Sequence, residues 1–224
     1  MEGLPRASDP LSADWITWVL IGCLLVLATI NVGSPRKWRV LRQSVFRMRI
    51  GKQTLREEVD LRDRSVLGLL AVSAIVVSLF LWQAAKWQGI QHPPSYYILL
   101  IGIVLLLAAQ GVLLGIVSLL TRSDGGTNEY LYSGTLLFAS MGIALFPIVA
   151  LIAYKPEWRE GLLLAGTIIV GLQLLYRWLR GAWIGVGQGV PLGYIIIYLC
   201  ASEIAPLLLA INGLWFTIHP TSPT

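Results

Sequence analysis

The sequence predicts an all-α protein, a polytopic transmembrane bundle of about six helices, from three observations. First, 56% of the 224 residues are hydrophobic and only 13% are charged, whereas an ordinary soluble domain carries about 25% charged residues. Second, apolar runs recur along the whole chain, each close to the roughly 20 residues that a helix needs to cross a hydrocarbon core. Third, these runs are too long and too continuous for barrel strands, and lipid offers no hydrogen-bond partner to other backbone structures.

The six predicted spans lie within a single domain that covers residues 1–224. They are residues 15–31, 65–83, 96–120, 131–154, 161–179 and 194–216. The first follows a tail in which acidic residues outnumber basic ones, unlike the start of a cleaved signal peptide, so we expect it to remain as a helix. Pro147, preceded by Gly142, predicts a kink in the fourth span. The segment 181–193 is rich in glycine but lacks the lysine and serine of a phosphate-binding loop, so it predicts a flexible or re-entrant connection.

The basic residues predict the orientation of the chain. Ten of the seventeen lysines and arginines lie between Arg36 and Arg64. When the connections are assigned to alternate sides of the membrane, one side holds thirteen basic residues and the other four. Because lysine and arginine in short loops are retained in the cytoplasm, we expect residues 32–64 inside and both termini outside.

Residues 36–49 also predict an interfacial amphipathic helix on the cytoplasmic side. Trp38, Leu41, Val45 and Met48 recur at helical spacing. The basic residues around them are Arg36, Lys37, Arg39, Arg42, Arg47 and Arg49. Such a helix can lie on anionic lipid or form a docking surface for an acidic partner. Nothing beyond the charge resembles a nucleic-acid reading element, so no nucleic acid is expected as a partner.

Glu203 is the one acidic residue inside a predicted span, about 13 Å from the inner end of the last helix. A carboxylate at this depth is costly, so it should face the bundle interior, carry a proton or have a partner. Pro206 frees a backbone carbonyl beside it. Gln110 and Gln173 lie at depths from which they could hydrogen-bond Glu203, whereas Arg177 would reach inward only by poor snorkelling. Two interpretations stay open: proton or cation handling, and a contact that locks helices together.

The remaining motifs predict packing more than chemistry. Gly111 and Gly115 form a GxxxG pair that allows close helix approach within the bundle. Both cysteines fall in apolar runs, so neither a disulfide nor a zinc site is expected. His92 and His219 are predicted outside and form at most a weak haem or metal site. We therefore predict no cofactor, no metal and no catalytic residues.

Three stretches resemble a known family. They are DWITWVLIGCLLVLA near the start, YSGTLLF in the fourth span and YIIIYLCASEIAPLLL in the last. The chain resembles an uncharacterised family of integral membrane proteins found mainly in Bacteroidetes, domain of unknown function family 4271. The resemblance implies a multi-pass helical bundle in the inner membrane of such a bacterium and brings no established activity.

Two functions are compatible with these observations. The first is a non-enzymatic membrane component, a structural or assembly subunit of a bacterial envelope complex, with lipids and another membrane or envelope protein as partners. The alternative is a small carrier coupled to protons or cations through Glu203. The basic segment and the lack of a catalytic constellation favour the first, and the buried carboxyl beside Pro206 favours the second.

Overall fold

The computed structural model describes residues 10–33, 64–88, 94–121 and 127–187. These residues form five α-helices: α1 (Asp14–Gly33), α2 (Arg64–Trp87), α3 (Tyr96–Thr121), α4 (Thr127–Tyr154) and α5 (Arg159–Gly187). Short 3-10 turns at Pro10–Ser12 and Pro156–Trp158 precede α1 and α5. The predicted all-helical class is confirmed, since the described ranges contain no strand.

Four helices within the described ranges are long and apolar enough to cross a membrane: Asp14–Gly33, Arg64–Trp87, Ser133–Tyr154 and Pro156–Trp183. The first five predicted spans all fall within helices. The sixth, at 194–216, and nearly all of the basic segment 32–64 lie outside the described residues.

The fifth helix is longer than the sequence predicts. It runs on to Gly187, so residues 181–187 are helical and the predicted flexible or re-entrant connection is wrong for that part. A glycine in a helix costs about 1 kcal/mol relative to alanine, whereas backbone groups without hydrogen bonds in lipid cost several kcal/mol each. The helical hydrogen bonds therefore outweigh the glycine content. Residues 188–193 lie outside the described ranges.

The two central helices, α2 and α4, form the core. Val76 and Leu79 of α2 and Leu145, Val149 and Ile152 of α4 are completely buried. In the most apolar window of α2, 61% of the residues are buried, compared with 11% for α5. The helices α1, α3 and α5 are therefore peripheral to an α2–α4 pair, and their outward faces are apolar.

A glycine sets the distance between the central helices. A Cβ atom built on Gly142 of α4 would overlap the Cα and the side chain of Ser73 on α2. Ser73 is fully buried, and its hydroxyl donates to the carbonyl of Ala139, 3.1 Å away. α4 continues as a helix through Pro147 to Tyr154. Gly142 thus brings the backbones close enough for a hydrogen bond between the helices, as small residues do in membrane bundles.

Aromatic side chains gather at one end of the bundle. The ring centroid of Trp15 lies 5.3 Å from that of Trp82 and 5.2 Å from that of Tyr96. The Tyr154 hydroxyl donates to Oγ1 of Thr17 over 2.9 Å. Because α1 and α3 begin at this aromatic end while α2 and α4 finish there, successive helices run in alternating directions.

At the aromatic end, Arg159 links the start of the described chain to the connection between α4 and α5 through hydrogen bonds. Arg159 is 6% exposed; its Nε donates to the carbonyl of Ile152 at 3.0 Å and its Nη2 to Oγ of Ser12 at 3.3 Å. The Ser12 hydroxyl in turn donates to the carbonyl of Ala153 at 2.6 Å. The last carbonyls of a helix have no hydrogen-bond donor within the helix. Arg159 and Ser12 supply donors to the carbonyls of Ile152 and Ala153. We call this group of Arg159, Ser12 and the two carbonyls the arginine clasp.

Candidate functional site

The guanidinium of Arg177 on α5 contacts a polar side chain of a neighbouring helix. Its Nη2 donates to Oε1 of Gln110 on α3 over 3.1 Å. A helical side chain is tilted towards the N-terminus of its helix, so Arg177 reaches back from the C-terminal half of α5 towards the middle of the bundle. Arg177 thus contacts a side chain within the bundle, while its predicted poor reach towards Glu203 stays a prediction, because Glu203 lies outside the described residues. The guanidinium carbon lies 3.6 Å from the position of a Cβ on Gly134, an ordinary contact distance.

Gln173, one helical turn before Arg177, ties α5 to α4. Its Nε2 donates to Oγ of Ser140 at 2.6 Å and to the carbonyl of Leu137 at 3.1 Å. The Ser140 hydroxyl donates to the same carbonyl at 2.8 Å. Hydrogen bonds between membrane helices contribute about 0.6 kcal/mol on average and at most about 1.7 kcal/mol. Gln173 therefore acts as a connector between helices in the described part of the chain.

Gln83, near the end of α2, is a third glutamine among the helices. It is completely buried, and its Nε2 donates to the carbonyl of Val149 on α4 at 3.3 Å. Its Oε1 has no hydrogen-bond partner among the described residues. The side chain thus adds one further cross-link between the two central helices.

A cavity of about 390 Å³ lies beside Arg177 and Gln110. Its walls are apolar except for these two side chains and Thr135. The apolar lining comes from α2, α3 and α4: Leu70, Ala71, Ala74, Val104, Leu107, Ala108, Gly111 and Gly134. Cavities of about 300 to 1,000 Å³ with apolar walls and a few polar groups are typical of small-molecule sites, so this cavity is the candidate site.

The predicted site residues fall into two groups. The predicted residues Gln110 and Gly111 line the cavity together with Arg177, which the sequence did not predict as a site residue, while the predicted Gln173 binds α4 about one turn away. A Cβ on Gly111 or Gly115 would meet no described atom within 4 Å, so the predicted close approach through the GxxxG pair stays a prediction.

The other predicted site residues lie outside the described ranges. They are Glu203, Pro206, Arg36, Lys37, Arg39, Arg42, Arg47, Arg49, His92 and His219. Within residues 10–33, 64–88, 94–121 and 127–187, no three His, Cys, Asp or Glu side chains are placed to hold a metal ion.

Sequence reasoning missed the pairing of Arg177 with Gln110 and the roles of Gly142 and Arg159. The signal for the first was present, because an arginine inside an apolar helix needs a partner in the bundle, but spacing along one helix does not show which helix faces it. Gly142 lies in an apolar run, which is compatible both with a close contact between helices and with a kink beside Pro147. The sequence therefore did not indicate the contact with Ser73. No sequence pattern marks Arg159 as a helix-end ligand.

The alternating apolar helices, the polar cross-links between them and the aromatic end together indicate a helical membrane protein. The model of the family described as Domain of unknown function (DUF4271) matches residues 16–214, and the chain belongs to that family. The resemblance seen in the sequence is confirmed at the level of the family. Neither a curated protein nor a solved structure matches the chain.

Proposed function

We propose that the chain is a non-enzymatic, multi-pass component of a bacterial inner membrane that assembles or stabilises an envelope complex. One observation carries the proposal: three polar side chains of the described helices join one helix to another. Ser73 and Gln83 join α2 to α4, and Gln173 joins α5 to α4. Such internal cross-links favour a stiff body that presents its outer faces to lipid and to a protein partner.

The peripheral helices supply those outer faces. Trp18 on α1 is 74% exposed, Leu105 on α3 is 63% exposed and Leu172 on α5 is 60% exposed. In a bilayer, these side chains contact lipid tails. Burying them against a partner protein is stabilised by van der Waals packing and not by the hydrophobic effect, because they are already out of water. Basic residues 36–49 of the sequence add a cytoplasmic surface for anionic lipid or an acidic partner.

The assembly role predicts that one partner is crosslinked repeatedly in the native membrane. A photo-crosslinking amino acid is introduced separately at Trp18, Leu105 and Leu172, and the irradiated membranes are solubilised and examined by mass spectrometry. We expect at least one position to give the same protein adduct that also purifies with the unmodified chain at a fixed ratio. The same variants without irradiation are the controls. Recovery of the chain alone, with adducts only to lipid from all three positions, contradicts the assembly role.

A carrier coupled to protons or cations is the second candidate, and the position of Arg177 favours it. Its charge lies within the bundle, and Gln110, which it contacts, is about 16 Å along α3 from Thr121. Glu203 is predicted about 13 Å from the inner end of the last span, so the two charges are at similar depths. Paired ionisable residues inside a membrane typically mark ion pathways.

The carrier predicts that Glu203→Gln abolishes proton uptake into vesicles that contain only the purified chain, while the protein amount stays unchanged. Glu157→Gln is the matched control, since Glu157 is exposed on the 3-10 turn before α5. Equal uptake by wild type, both variants and empty vesicles rules out proton coupling.

A further inference from the structure

The cavity beside Gln110 has the chemistry of a binding site for an apolar molecule with one hydrogen-bond acceptor. Its walls are mostly apolar, and its volume of about 390 Å³ lies within the range of small-molecule sites. Small side chains on three helices, among them Ala71, Ala108 and Gly134, leave this space open. The polar groups that line it lie on α3, α4 and α5.

The orientation of the Gln110 amide follows from its partner. A guanidinium has only donors, so the oxygen of the amide faces Arg177, as observed. The nitrogen, Nε2, with two N–H donors, then points away from the guanidinium. No hydrogen bond from this Nε2 to another residue occurs in the described part of the chain. Gln110 lines the cavity, and the two donors of its Nε2 are not used by any described residue.

The depth of Gln110 restricts the kind of occupant. It lies about 21 Å along α3 from Tyr96 and about 16 Å from Thr121, close to the middle of a 26-residue helix. The ester carbonyls and charged heads of ordinary phospholipids stay at the two interfaces of a bilayer with a hydrocarbon core about 30 Å thick. An acceptor at mid-helix must instead belong to an uncharged molecule that dissolves in the hydrocarbon itself.

We propose that this cavity binds a neutral, membrane-soluble carbonyl compound of the quinone class, with one carbonyl oxygen accepting a hydrogen bond from Nε2 of Gln110. Arg177 acts as a positioning residue, because its bond to Oε1 holds the amide with Nε2 free to donate. The ring and its apolar tail occupy the space between α2 and α3. This inference does not depend on the assembly role and stands on the cavity alone.

The experiment titrates the full-length chain, in nanodiscs made of quinone-free phosphatidylcholine, with a decyl-substituted benzoquinone. Calorimetry measures the binding, and infrared difference spectra follow the carbonyl band of the quinone. We expect saturable binding and a carbonyl band shifted to lower frequency by the hydrogen bond. Gln110→Leu should weaken binding about tenfold, the effect of one net hydrogen bond, and should remove the shift.

A pair of alanine variants separates the cavity from general effects on the helix. Both Ala108 and its neighbour Ala109 are exposed, but only Ala108 lines the cavity. Ala108→Phe should abolish saturable binding and Ala109→Phe should retain it, with unchanged melting temperatures for both. Two results overturn the proposal: equal, unsaturable uptake by wild type and Ala108→Phe, or binding by Gln110→Leu that matches wild type with the same carbonyl band.

Discussion

Gly142→Ala is expected to destabilise the bundle by about 1 to 3 kcal/mol, the usual cost of forcing an extra carbon into a packed core. The added Cβ overlaps the Cα of Ser73, so a change of side-chain rotamer cannot relieve the clash. The two central helices must move apart, which also lengthens the hydrogen bond from Ser73 to the carbonyl of Ala139. The measurement is the melting temperature in a mild detergent, followed by tryptophan fluorescence.

Gly171→Ala is the matched control for this substitution. Gly171 lies on α5, and a Cβ there would meet no described atom within 4 Å. Both substitutions gain the same helix propensity, up to about 1 kcal/mol. The difference between their melting temperatures therefore reports the packing clash at position 142 alone. Adding Ser73→Gly to Gly142→Ala should recover only part of the loss, because the backbone contact remains. Equal melting temperatures for Gly142→Ala and Gly171→Ala would show that the central helices do not approach as described.

Arg159→Met is the second change with a large expected effect, a loss of about 1 to 3 kcal/mol in the free energy of unfolding. Methionine keeps much of the apolar stem but removes the donors, which leaves the buried carbonyl of Ile152 without its hydrogen bond. The bond to Ser12 is lost as well. Denaturant unfolding in detergent or nanodiscs measures the change.

Lys155→Met is the control for Arg159→Met, because it removes the same charge from an exposed side chain in the same connection. Its effect should stay within about 0.5 kcal/mol, as for most surface changes. If the two variants unfolded at the same denaturant concentration, the arginine clasp would contribute nothing measurable to stability.

The helical class and the approximate positions of the helices could be predicted because lipid imposes a simple rule: an apolar run of sufficient length must be helical. The rule is local, so the run 65–83 is enough to indicate α2. The end of α5 was predicted less well, since the glycines between 181 and 187 weaken the sequence signal without breaking the helix.

The contacts of the candidate site could not be predicted from the sequence, because they depend on which helix faces meet. Gln110 and Gln173 both fit an expectation of polar contacts inside the bundle, yet their described partners are Arg177 on α5 and Ser140 on α4. Nothing in either run of residues specifies those pairs. The cavity depends further on small residues from three helices and becomes visible only when the helices are placed together.

Both proposed functions rest on one claim, that the chain crosses the membrane six times with the basic segment 32–64 inside. Cysteine labelling tests it most directly. In a background without Cys23 and Cys200, single cysteines are introduced at Ser44, Ser123, Glu157 and Thr221. Intact spheroplasts are treated with a membrane-impermeant maleimide, and the same labelling is repeated after permeabilisation.

We expect Glu157→Cys and Thr221→Cys to react in intact spheroplasts, and Ser44→Cys and Ser123→Cys to react only after permeabilisation. This pattern places the basic segment inside and requires a sixth span before Thr221. Labelling of Ser44→Cys in intact spheroplasts, or protection of Thr221→Cys together with Ser123→Cys, would contradict the claim.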